Sequence, residues 1–153
     1  MIGLLSRLAR CERGAGVIEF AFVAPMLAIL TVGIVDLGRG YSAKLTLEEA
    51  AYRSLEKVSV GTVQSDYTFV KTEAATAAGV PEANVTVDNW LECDGSRQGA
   101  FDGSCTSTQQ TTRYVKVTIT DTFKPSFPYG KWLLGANSTG GVALSSTQSV
   151  RVQ

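Results

Sequence analysis

From Ala15 to Val35 the chain reads AGVIEFAFVAPMLAILTVGIV, 21 residues in which Glu19 is the single charge. At about 1.5 Å per helical residue such a run crosses the ~30 Å hydrocarbon layer of a bilayer, so it predicts one membrane-spanning helix. Pro25 marks a kink that neighbouring protein or local adjustment can satisfy. The following stretch, DLGRGYSAKLTLEEAAYRSLEKVSVG, keeps a helical period to about Val58. Tyr41, Leu45, Tyr52 and Leu55 fall roughly on one stripe, and Glu49 precedes Arg53 by four residues. Thr46 to Glu49 also matches a capping box, which leaves open a break near Thr46, and Gly38 with Gly40 predicts a flexible junction. A second helix fits SDYTFVKTEAATAAGVPE, capped by Ser65 or Asp66 and stopped by Gly79 and Pro81.

Past that point the period becomes two. Residues 84–93, 113–123 and 142–152 each alternate apolar or β-branched with polar positions, which predicts three strands. In the middle one Val115, Val117 and Ile119 point one way, and Tyr114, Lys116, Thr118 and Thr120 the other. The expected fold is α+β: an N-terminal transmembrane helix extending into an exported domain, with a second helix and a three-stranded antiparallel sheet covered on one side. The segments are a basic leader at 1–14, the span at 15–35, a helical stalk at 36–60 and the exported domain at 61–153. The connection KPSFPYGKWLLGANSTGG carries an apolar patch, Phe127, Tyr129, Trp132, Leu133 and Leu134. Its simpler use is to cover the sheet edge or core; its sharper one is contact with a partner or a membrane surface.

Charge sets the orientation. Arg7, Arg10 and Arg13 stand before the span against one Glu12, whereas the far side mixes both signs, so the N-terminus is expected in the cytoplasm and the rest outside. A cleavable signal peptide fits less well, because the apolar run is longer than such segments carry and no A-x-A pattern follows. Cys11 then lies among reduced thiols, while Cys93 and Cys105 lie where disulfides persist. The 11 residues between them, rich in Gly, Asp and Ser, make a loop whose closure stabilises by roughly 3 kcal/mol in the chain-entropy model. A Cys93–Cys105 bridge is therefore expected. A redox or metal pair is the weaker reading, since there is no CxxC spacing and no histidine in 153 residues.

Chemistry is sparse otherwise. Without histidine no Ser/His or Cys/His nucleophile pair exists, and no GxSxG, Walker or GxGxxG pattern occurs. Glu48 and Glu49 are neighbours on a helix and do not converge on a substrate. The DGS triplets at Asp94 and Asp102 offer calcium-type oxygens, but turns explain them more simply. Fourteen basic residues balance fourteen acidic ones, so no nucleic-acid partner is expected. The reading is of a protein that is not an enzyme, with no cofactor or metal.

Glu19 stands apart, since a charge at that depth costs roughly 2.5 kcal/mol or more on insertion scales. Before it come Arg13, Gly14 and Ala15, and counting from Ala15, Glu19 is the fifth residue, followed by Phe20. A basic leader, Gly, four residues, EF and an apolar helix resemble the cleavage region of type IV-like prepilins. The stretch RGAGVIEFAFVAPMLAILTVGIVDLGRG, with its Pro25 and closing DLGR, resembles most closely the TadE-like family of minor pseudopilins from tight-adherence (Flp) pilus systems. The resemblance is specific over residues 7 to 40. It implies cleavage by a membrane aspartyl prepilin peptidase between Gly14 and Ala15, leaving 139 residues and discarding Cys11. It also implies that Glu19, beside Phe20, pairs with the freed amine of a neighbouring subunit, which makes a buried charge tolerable. The implied partners are that peptidase, other pilins or minor pseudopilins, the inner-membrane assembly platform and the membrane itself. The implied place is the bacterial inner membrane, single-pass, with the C-terminal domain exported. The competing class is an unprocessed, membrane-anchored binding module of the cell envelope; an exported enzyme ranks third.

Overall fold

The computed structural model describes residues 15–60, 67–126, 136–138 and 140–152. The basic leader with Cys11 and Gly14, the proposed caps Ser65 and Asp66, and the apolar patch from Phe127 to Leu134 lie outside the described residues. The chain divides into two compact units, Met1–Arg39 and Gly40–Gln153.

The first helix, α1 (Ala15–Val60), is helical through Pro25 and through Thr46. The capping box is not used. Thr46 Oγ1 donates to the Ser42 carbonyl one turn back at 3.1 Å, and Glu49 pairs with Arg53 on the helix surface. Continuing a helix adds one hydrogen bond per residue, whereas a break would orphan several groups at two new ends. A Cβ at Gly40 would come into ordinary contact with the Phe123 ring, at 3.4 Å.

The buried side of α1 in the second unit differs from the expected stripe. Leu47, Ala50, Ala51, Ser54, Leu55 and Val58 are buried, while Tyr41 and Tyr52 are 67% and 69% exposed and Leu45 is exposed as well. Of the expected four only Leu55 faces inward. Alanines let the helix backbone approach closely, and a stripe chosen by side-chain size passes over them. Helix α2 (Thr68–Ala78) repeats the device with Val70, Ala74 and Ala75. Gly79 ends it at φ +68°, the left-handed turn that glycine adopts without penalty, and the Val80 N–H bonds back to the Ala75 carbonyl at 3.1 Å.

The sheet has four strands rather than three: β1 (Val85–Cys93), β2 (Ser96–Arg97), β3 (Thr111–Phe123) and β4 (Val142–Arg151), all antiparallel in the order β2-β1-β3-β4. The added strand comes from Asp94-Gly95, both at positive φ, a two-residue hairpin turn that places Cys93 opposite Ser96. Register sets Val85 against Ile119 and Val87 against Val117. On that face Val85, Val115, Val117 and Ile119 form one buried cluster with the inner residues of α1 and α2, with Leu144 and Val150 of β4 packed at its margin. The other face is polar around a single row. Trp90 stacks on Tyr114 of β3 at 5.3 Å and carries the Arg97 guanidinium 4.8 Å from its ring centre on the β2 side. Asp88 ties Arg97 and Lys116 at 3.0 and 3.3 Å.

The loop from Cys93 to Cys105 is closed by a disulfide and anchored from within the sheet. Arg113 donates from Nε to the Phe101 carbonyl at 3.1 Å and from Nη2 to the Gly103 carbonyl at 2.8 Å, and Phe101 meets the buried Tyr67 edge-on at 5.6 Å. Asp94 accepts the Gln110 N–H at 2.9 Å. That carboxylate braces the loop, and no group of three or more metal-ligating side chains forms among the described residues. Cys93 and Cys105 are expected to resist alkylation until reduced, while Cys11 in a full-length precursor reacts freely. A mass-shift assay reads both, and two reactive exported thiols in native protein would contradict the bridge.

Candidate functional site in the apolar end of the long helix

In the first unit the helix begins at Ala15, and from Gly16 to Val35 its residues are exposed or half-buried on every side. Val17, Ile18, Phe20 and Phe22 are all more than 60% exposed, and none of the most apolar 18-residue stretch is buried. In water such a surface would cost about 25 cal/mol for each Å² left wet, whereas hydrocarbon removes that cost. Among the described residues α1 is the one helix long and apolar enough to cross a membrane.

Glu19 sits in this surface, exposed and without an ion-pair partner among the described residues. It stands four residues after Ala15, and residues i and i+4 share one helix face. The backbone nitrogen that cleavage would free thus lies one turn below the carboxylate, on the same side. Phe20, 67% exposed, is next to it. Gly14, the other half of the expected cleavage site, lies outside the described residues. A Cβ on Gly16 would meet nothing within 4 Å, so the helix surface beside the site is open.

The upper end of the apolar run is marked by a second carboxylate. Asp36 accepts a hydrogen bond from Arg39 Nη1 at 3.2 Å, and Asp36 is 1% exposed while the arginine remains half out. A buried carboxylate held by a guanidinium one turn away is a compensated charge. These are the Asp and Arg of the DLGR motif, and no charged residue stands between Glu19 and Asp36. Thr31, the one hydroxyl in between, returns its proton to the Leu27 carbonyl at 2.8 Å and so presents no unpaired donor to lipid.

The disulfide cysteines belong to the second unit and are joined to each other; Glu19, Phe20 and Ala15 belong to the first. Sequence reasoning missed the outer edge of β4 in the second unit, where Thr147 and Ser149 have no outward backbone partner among the described residues. Its signal was the polar run Ser145 to Ser149 on a last strand with no proline.

No curated protein and no solved structure gives a significant match to the chain. A family model described as TadE-like protein matches residues 14–55, beginning at the glycine before Ala15 and covering the apolar helix, Glu19, the DLGR motif and the first packed turns of the second unit. The helix that carries the candidate site is therefore similar to that of the TadE-like family over residues 15–55.

Proposed function

We propose that the protein is a minor pseudopilin that acts in assembly of a tight-adherence, Flp-type pilus. The observation that carries this reading is the family match starting at Gly14, on a helix whose only charge before Asp36 is Glu19. A prepilin peptidase would cut after Gly14, and the mature chain would begin with the apolar helix itself. The helix would hold the protein in the bacterial inner membrane by a single pass, with residues beyond the span exported. Its partners would be other pilins or minor pseudopilins and the assembly platform. The role requires no catalysis from this chain and no cofactor.

Processing tests the reading directly. Protein recovered from membranes of cells that hold the peptidase is expected to lack its first 14 residues by intact mass. Gly14→Phe should leave the 153-residue form, because a small residue before the cut suits the peptidase and a ring does not. An intact N-terminus on the unaltered protein would favour the other class, an anchored binding module of the cell envelope.

A further inference from the structure

β4 is an outer strand of the sheet, and three bonds show how its backbone groups alternate. The Val152 N–H donates to the Arg113 carbonyl on the β3 side at 2.9 Å. On the opposite side the Gly141 carbonyl accepts the Asn137 N–H at 2.8 Å, and the Ser145 carbonyl accepts from the Lys44 ammonium. The N–H and C=O of one strand residue point the same way, and successive residues alternate. Even-numbered residues of β4 therefore bond β3, and odd-numbered ones face outward. The segment at Asn137 covers the start of this edge and Lys44 covers Ser145. Beyond them Thr147 and Ser149 are exposed, with no backbone partner on the outer side among the described residues.

Proteins that keep an edge unpaired usually blunt it with proline, lysine or a bulge. Between Lys44 at Ser145 and Arg151 at its end, β4 has none of these: it pairs with β3 in unbroken register from Val142 to Arg151. Beside the free stretch lies a cleft of about 260 Å³, walled by Tyr52, Leu55, Glu56 and Ser59 of α1 and by Gln148 to Val150 of β4. Its charge is one-sided. Glu48 is matched by Lys44 at 3.1 Å, Glu49 by Arg53 and Glu73 by Lys57 at 2.7 Å, whereas Glu56 has no cation among the described residues.

We propose that an extended segment of another protein adds to the sheet here as a fifth strand. Its backbone bonds Thr147 and Ser149, and its inward side chains enter the cleft, apolar ones against Tyr52 and Val150 and a Lys or Arg against Glu56. Backbone bonds supply the affinity and the alternate side chains the selectivity. The inference is independent of the pilus reading, since it rests on the second unit alone.

The test uses the full chain in detergent micelles and the peptide acetyl-Thr-Val-Thr-Lys-Thr-Val-Thr-amide, followed by amide hydrogen exchange. Bound peptide is expected to slow exchange at Thr147 and Ser149 by about tenfold or more, as for any amide moved from solvent into a ladder. The same peptide with Glu for Lys should protect these amides far less, and Glu56→Gln should erase the difference between the two. Ser149→Pro removes an outward N–H without touching the β3 ladder, and should abolish binding while leaving the near-ultraviolet dichroism unchanged. Protection elsewhere, none at millimolar peptide, or equal binding of both peptides to the unaltered chain would overturn the proposal. Protection that rises with protein concentration alone would assign the edge to a second copy and overturn it equally.

Discussion

Glu19→Gln is expected to yield protein that inserts and loses its leader as usual but supports no surface pili. The substitution deletes the one charge between Ala15 and Asp36, so insertion should be unchanged or easier. In an assembly where the freed amine of one subunit meets this carboxylate on another, the amine would be left buried and unpaired. Removing one member of a buried pair typically costs about 3–5 kcal/mol, enough to empty an assembly intermediate. The measurement is double: leader removal by mass spectrometry and piliation by microscopy, in a strain lacking the unaltered copy. Normal piliation would make the carboxylate dispensable. A block in leader removal would place Glu19 in peptidase recognition rather than in assembly.

Ile119→Ala should be strongly destabilising to the second unit. Ile119 is fully buried opposite Val85, in the cluster shared by the sheet, α1 and α2. Truncations of that kind cost about 2–5 kcal/mol, a large part of the roughly 5–15 kcal/mol that holds a domain folded. Thr118→Ala, one residue away on the polar face, loses a hydroxyl contact to Thr147 at 3.1 Å and should cost about 0.2–1 kcal/mol. Denaturant titration of both variants, followed by near-ultraviolet dichroism, compares them. Equal losses would mean that the two faces of β3 are not distinguished by burial.

The alternation in residues 113–123 is legible because burial follows it. Val115, Val117 and Ile119 are all fully buried, as their common parity requires, and no turn or neighbour has to be known to say so. The end of α2 is equally local, since Gly79 supplies a backbone conformation that other residues resist. The turn at Asp94-Gly95 is local too, but the two-residue strand it creates exists only through its pairing with Glu92 and Cys93. The face of α1 was not legible. Apolar residues occur on several sides of that helix, and the sheet selects the side where Ala50 and Ala51 permit close approach, leaving Tyr41 and Tyr52 outside.

The candidate site divides along the same line. That the chain carries an apolar helix with one carboxylate near its start, preceded by Arg13-Gly14, follows from residue order alone, because lipid solubility and residue spacing are properties of contiguous sequence. Which ring lies beside Gly40 and which strand is left at the edge are settled by partners distant in sequence. Strand pairing decides the last of these: β3 has a neighbour on each side, so β4 is left as an outer strand, and no periodicity within residues 142–151 could have assigned it there.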